Sequence, residues 1–337
     1  MRTIGQNDKK WAWVGLCAGT AALTLAVGCA AVTPATPVHP APAPAGHQPQ
    51  HHGQRQHHGQ PQHHGQPPRH RQPPHQKQLQ APPARALDAY AQKLRRTYAT
   101  RAAAARRWGL TEPPLLAPPP PARKPRPTTR KGFEVADHAA RRLPPVFTTI
   151  PTRHKIVFLT IDDGAEKDPA FLRMTSELKI PYTAFLSDYL VKDDYAYFRK
   201  MRDLGVVLNN HTLHHPYLPA LSYERQKAEI CGMQEVIRKR YGTRPALFRP
   251  PYGNYDEDSL RAAKSCGVKY VPLWNEEVFA DHWDYRESDR DLHPGDIVLS
   301  HFRGKTDGKG TMPDMIRRFM KLVTAKGYAV ARLEDYL

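Results

Sequence analysis

VFLTIDDG, residues 157–164, decides how this 337-residue chain is read. Ile156, Val157, Phe158 and Leu159 follow the polar His154 and Lys155, and such a short apolar run fits a strand buried on both faces of a parallel sheet. Asp162 and Asp163 then stand at its C-terminal end, where α/β folds gather the loops that carry active sites. Adjacent carboxylates in a buried place repel unless a cation or a proton relieves them. Asp-Gly is also an ordinary turn signal, so the octet alone leaves a solvated turn and a reactive floor both open.

Working outward, residues 143–337 have the composition of one globular domain, long enough to bury a full core. Six further apolar runs, at 183–186, 206–209, 246–248, 269–273, 297–300 and 328–331, bring the expected strands to seven. Helical patterns at 169–179, 195–204, 222–241, 256–266 and 313–326 alternate with them, and Ser222 is placed to cap its helix. Gly205, Gly242, Gly267 and Gly327 follow helix ends. Helix, glycine, strand in repetition is the rhythm of an α/β fold with a parallel sheet. Cys231 and Cys266, both read as helical, leave a disulfide and two buried thiols equally open.

Three later strand ends carry polar residues of a kind that works together. His211 and His215 lie four apart, so on one helical turn both imidazoles would face one metal, with Asp163 as a carboxylate ligand. Two imidazoles and one carboxylate leave a position for water, as catalytic zinc requires, and they also suit Co²⁺, Ni²⁺ or Fe²⁺. His214, three residues from His211, points elsewhere on such a turn. Arg249 ends the run at 246–248 and can hold a carboxylate and keep it ionised. His301 ends the run at 297–300, a place for a general acid near neutral pH.

The pieces Thr160-Ile161-Asp162-Asp163-Gly164, His211-Thr212-Leu213-His214-His215, Arg249-Pro250-Pro251-Tyr252 and Leu299-Ser300-His301 occur in this order. They resemble the polysaccharide deacetylases, the nodulation-protein-B homology domain of carbohydrate esterase family four. That family's pattern is T-[FY]-D-D-G, H-[ST]-x-x-H, R-x-P-Y, an acidic and tryptophan motif, and L-x-H. The resemblance covers about residues 151–337 and implies a distorted, seven-stranded β/α barrel. It implies Asp163, His211 and His215 as ligands of one divalent metal, most often Zn²⁺, Asp162 as general base and His301 as general acid. Arg249 would hold Asp162 ionised, the backbone amide of Tyr252 would help hold the oxyanion, and Leu299 would shape the acetyl-methyl pocket. Two departures are visible. Ile161 replaces the usual aromatic, and Trp274-Asn275-Glu276-Glu277 with Asp281-His282-Trp283 only loosely matches the acidic motif, leaving Glu277 and Asp281 as candidates to support the arginine.

The N-terminal part has a different character. Arg2, Lys9 and Lys10 precede an uncharged run at 11–32, so residues 1–32 read as an export signal. Leu25-Ala26-Val27-Gly28-Cys29 resembles a bacterial lipobox, which favours a lipoprotein over an uncleaved anchor or simple secretion. Residues 33–83 are Pro, Ala, Gln and His, with HHGQ repeating at His51, His57 and His63, and are expected to form a disordered tether. The histidine pairs are read as spacer, with metal buffering as the alternative. Leu87, Tyr90, Leu94, Tyr98 and Ala102 recur at helical intervals, so 84–110 reads as a basic amphipathic helix able to lie on an anionic surface. Residues 111–142 read as a Pro-rich linker.

Residues 1–145 carry a net +16 and residues 146–337 only +2, so the basic charge belongs to the tail and argues against nucleic acid as a partner. The expectation is a monomeric, surface-tethered, metal-dependent enzyme that removes N-acetyl groups from an amino-sugar polysaccharide such as peptidoglycan or a chitin-like polymer. Two alternatives keep the same residues: an O-acetyl esterase or non-sugar amide hydrolase, and a catalytically degenerate wall-binding protein.

Overall fold

A computed structural model describes residues 82–337, apart from 306 and 307. The expected export segment and histidine-rich spacer lie outside the described residues. Among the described residues, no helix is long and apolar enough to cross a membrane.

The elements run α1 (Pro82–Arg107), β1 (Val146–Phe147), β2 (Ile156–Asp163), α2 (Pro169–Leu178), β3 (Thr183–Leu186), α3 (Asp188–Val191), α4 (Tyr195–Asp203), β4 (Val207–Asn210), α5 (Tyr223–Tyr241), α6 (Glu257–Ser265), β5 (Val271–Pro272), β6 (Glu276–Val278), β7 (Trp283–Tyr285), β8 (Ile297–His301), α7 (Met312–Ala325) and β9 (Ala329–Val330). The sheet is parallel through β4-β3-β2-β8-β6, with β7 antiparallel on β6. Isolated bridges and one two-residue ladder extend it into a ring. Asn210 pairs with Phe248, Leu247 with Tyr270, β5 with β1, and Thr149 with Asp296 at the foot of β8. The result is a distorted β/α barrel.

The expected seventh strand, β9, lies off this ring and pairs with the start of β2. Its stave is taken by β1, which composition did not reveal. The run at 246–248 contributes bridges only.

Alternation along β2 explains both layers. Ile156 and Phe158 face an inner apolar cluster with Phe147, Phe185 and Ile297, whereas Val157, Leu159 and Ile161 pack under the helices. Each buried phenylalanine contributes about 1.5–3 kcal/mol by leaving water. Asp162 therefore shares the inward parity of Phe158, and Ile161, the substituted position, points outward into the helix layer.

Helix caps are supplied locally. Asp256 forms a capping box with Ser259, while Ser222 caps by backbone position alone, without a side-chain hydrogen bond. Cys231 of α5 and Cys266, just past α6, form a disulfide. Residues 111–142, expected as a linker, run against the domain: Lys124 Nζ donates to Leu337 O at 2.6 Å, and Arg130 Nη1 donates to Asn275 Oδ1 at 2.6 Å. In α1 the C-terminal end docks through Ala104 and Ala105, whereas Leu87, Tyr90, Leu94 and Tyr98 are exposed.

Candidate active site

The C-terminal ends of β2, β4 and β8 converge with the turn after Phe248, so the four sequence pieces meet at one end of the barrel. Asp162 is buried and Asp163 is half-buried, with Asp163 in the left-handed backbone region at φ +82°. Gly164 follows at φ +97°, and a Cβ there would stand 2.4 Å from Val191 Cγ1. That turn rotates the Asp163 carboxylate away from its neighbour and toward the histidines.

His211 is buried, and its Nδ1 lies 2.7 Å from Arg249 O, which leaves Nε2 facing the carboxylates. Nε2 stands 3.6 Å from Asp163 Oδ1 and 3.7 Å from Asp162 Oδ2, and His215 Nε2 stands 3.4 Å from the same Asp163 Oδ1. The helical turn expected for this pair is absent. Thr212 at φ +72° and His215 at φ +56° fold the segment back instead, and Asn210 Oδ1 accepts from Thr212 N at 2.9 Å to fix the bend. His214 turns away, its Nδ1 2.8 Å from Glu229 Oε1 on α5.

Asp163, His211 and His215 fit a metal. Their ligand atoms lie within 4.8 Å of one another, and Asp163 Oδ1 is buried without any hydrogen-bond donor. A buried acceptor aimed at two imidazole nitrogens needs a cation or protons between them.

Arg249 is fully buried along the barrel axis, over the Phe185 ring at 4.4 Å. Its Nη1 donates to Asp162 Oδ1 and to Thr160 Oγ1, both at 2.9 Å, and its Nε donates to Pro272 O at 2.8 Å. Thr160 was not singled out in the sequence, although the strand alternation that places it beside Asp162 is readable there. Neither acid proposed to support the arginine touches it. Asp281 pairs with Lys309 and His282, and Glu277 pairs with His301, its Oε1 2.9 Å from Nδ1 as a charge pair without hydrogen-bond alignment. Leu299, two residues from His301 on the same face of β8, is buried outside the three apolar clusters. Tyr252 is half exposed at φ +60°, its ring 4.6 Å from that of His215.

Electrostatics separate the two aspartates. Burial raises the Asp162 carboxyl to about 6, with Arg249 and His301 opposing it. Burial would also raise Asp163, but the neighbouring imidazoles, the protonated His301 first among them, outweigh it and hold that carboxyl below its ordinary value. His211 is pushed down to about 3 by burial and by His215, as suits a neutral ligand. His301 is raised, because the Glu277 carboxylate outweighs its burial.

Comparison with known proteins gives the same outline. The polysaccharide deacetylase family model matches residues 149–271. An uncharacterised protein of Streptomyces coelicolor is 42% identical over 198 residues, covering 58% of this chain and 79% of that protein. The peptidoglycan N-acetylmuramic acid deacetylase PdaA of Bacillus subtilis is 27% identical over 198 residues, covering 55% of this chain and 73% of its own. Among solved structures, a peptidoglycan N-acetylglucosamine deacetylase superposes with a TM-score of 0.50 at 23% identity, covering 59% of this chain and 95% of that one.

Proposed function

From the premise that this chain belongs to the polysaccharide deacetylase family of carbohydrate esterases, a hydrolase of N-acetyl amide bonds, we propose that its substrate is peptidoglycan at the bacterial cell surface. We assign one divalent metal, zinc by its donor set, to Asp163, His211 and His215. The observation that carries this reading is the donor-less Asp163 Oδ1 facing both imidazoles, beside an Asp162 that Arg249 holds separately. The peptidoglycan deacetylase names of the relatives support the substrate class.

When bound, the ion supplies Lewis acidity to the acetamide carbonyl and eases deprotonation of water. The chain's own groups do the rest. Asp162, ionised above about pH 6, takes the proton of the attacking water, and Arg249 fixes the orientation of its carboxylate. The Tyr252 backbone amide donates to the carbonyl oxygen as negative charge develops there. Leu299 receives the acetyl methyl. An amine anion is too basic to leave, so His301, kept protonated by Glu277, gives its proton as the C–N bond breaks.

Export and tethering belong to the same proposal. The Cys231–Cys266 disulfide fits an oxidising compartment. A lipid or apolar anchor within residues 1–32 would hold the domain at the membrane, and the exposed stripe of α1 would rest on its anionic face.

The test is acetate release by the purified chain from peptidoglycan fragments carrying N-acetylglucosamine and N-acetylmuramic acid, with acetylated xylan alongside. Wild type should release acetate from the peptidoglycan fragments and Asp162→Ala should not. Release from xylan alone would transfer the assignment to an O-acetyl ester. Equal inertness of both proteins on every substrate would remove the enzymatic reading.

A further inference from the structure

The two glutamates of β6 face opposite sides of the strand, as successive strand residues must. Glu277 looks inward to His301. Glu276 looks outward, pairs in register with the outward-facing Val298, and is buried. There it meets Asp296, also buried, at the N-terminal foot of β8, the end of the barrel away from His301.

This second cluster has its own chemistry. Ligand atoms of Glu276, His293 and Asp296 lie within 4.8 Å of one another. Asp296 Oδ1 is occupied by Thr149 Oγ1 and Asn275 Nδ2, donating at 3.0 and 2.7 Å, while Oδ2 faces His293 Nδ1 at 3.2 Å and accepts from His293 N at 2.6 Å. Glu276 Oε2 is buried and receives no hydrogen bond. Asp289 Oδ2 lies 3.0 Å from His293 Nε2. A cleft of about 550 Å³, lined in part by Asn275, Asp289, His293 and Asp296, opens the cluster to solvent. The nearby cation Arg130 is committed to Glu287, Thr148 and Asn275.

We propose that Glu276, Asp296 and His293 form a second, structural site for a divalent transition-metal ion, separate from the Asp163 centre. The donor arithmetic favours an ion. Two buried carboxylates side by side need a cation or a shared proton between them. Among the described residues, His293 is the basic side chain whose ring nitrogen lies in ligand reach of both, while Arg286, which also feels Glu276, donates its Nε to Trp274 O. Nε2–H then donates to Asp289, the carboxylate–histidine–metal arrangement that fixes the tautomer of a ligating ring. Burial beside Asp296 pushes the Glu276 carboxyl up to about 10, the cost an ion would remove. At the foot of the barrel the ion has no reacting group to serve, so its effect is on stability.

The test uses the full-length chain, stripped with a chelator and re-equilibrated with Zn²⁺ alone. Bound metal per chain is counted, and Tm is recorded with and without Zn²⁺. Histidine pairs in the tail are common to all variants, so each count is read as a difference from wild type. Glu276→Gln and His293→Ala should each lose one equivalent and at least about 3 °C of the Zn²⁺-dependent rise in Tm. His211→Ala should lose a different equivalent, with the losses adding in the His211→Ala, His293→Ala double variant. Glutamine is isosteric with a protonated glutamic acid, so if Glu276 merely shares a proton with Asp296, Glu276→Gln keeps the wild-type count and Tm. An unchanged count in either Glu276→Gln or His293→Ala overturns the proposal. An unchanged count in His211→Ala counts against the Asp163 centre instead and leaves this site standing.

Discussion

The Asp162 carboxyl sits at about 6 although an arginine nitrogen lies 2.9 Å away, because complete burial costs the anion more than one guanidinium returns. The sign of the pH response follows. Activity should rise with pH through about 6 as Asp162 ionises, and fall at higher pH as His301 loses its proton. Glu277→Gln removes the charge that raises His301, so the alkaline limb of kcat/KM against pH should move to lower pH while the acidic limb stays. An unmoved alkaline limb would show that Glu277 does not support the acid. The neighbouring aspartates should separate by readout: Asp162→Asn should lower kcat by about 10²–10⁴-fold with metal content preserved, whereas Asp163→Asn should lower metal content itself. Equal metal loss in both would contradict the division. That Asp162, Asp163, His211, Arg249 and His301 meet at one end of the barrel was legible in the sequence because each follows an apolar run, with His215 joined to them by its spacing from His211. The pairing of Glu277 with His301 was not, since its strand is three residues long and begins with two glutamates.

Strands revealed themselves where an apolar run carries them, as in β2, β3 and β8 and even in the two-residue β5 and β9, and hid where they are short and set among prolines, charges or aromatics, as in β1, β6 and β7. The bend carrying His211 and His215 was read as a helical turn because a spacing of four is helical by default. Left-handed residues that are not glycine leave no such mark in a sequence. Two elements carry predictions. The disulfide joins α5 to the end of α6 across 35 residues, so replacing both cysteines by serine should cost about 3–4 kcal/mol in denaturant unfolding. A loss below about 1 kcal/mol would mean that helix packing alone secures this corner. On α1, replacing Leu87, Tyr90, Leu94 and Tyr98 by serine should weaken co-sedimentation with anionic vesicles at least about tenfold. Acetate release from soluble fragments should be unchanged. Vesicle binding that survives would assign attachment to residues before the helix.

At the scale of the whole molecule, residues 1–145 carry a net +16 and residues 146–337 only +2, although the end of α1, Lys124 and Arg130 pack against the barrel. The seven-stave count was legible, though one stave was misassigned, because closure of the ring depends on isolated bridges and one two-residue ladder rather than on apolar runs. Chelation should abolish acetate release and added Zn²⁺ should restore it; a stripped chain that still turns over would exclude a metal from the reaction. Arg249 has a practical bearing on all such experiments. The side chain is wholly enclosed, stacked on Phe185 and bonded to staves on several sides of the barrel. Deleting it would strand Asp162 as an unpaired buried charge at a cost of about 3–5 kcal/mol, a large part of a domain's total stability. A silent Arg249 variant would thus be ambiguous between a dead enzyme and an unfolded one. Inactive protein for substrate-trapping or crystallography is better made at His301, whose side chain ends β8 and pairs with Glu277 without bonding staves together as Arg249 does.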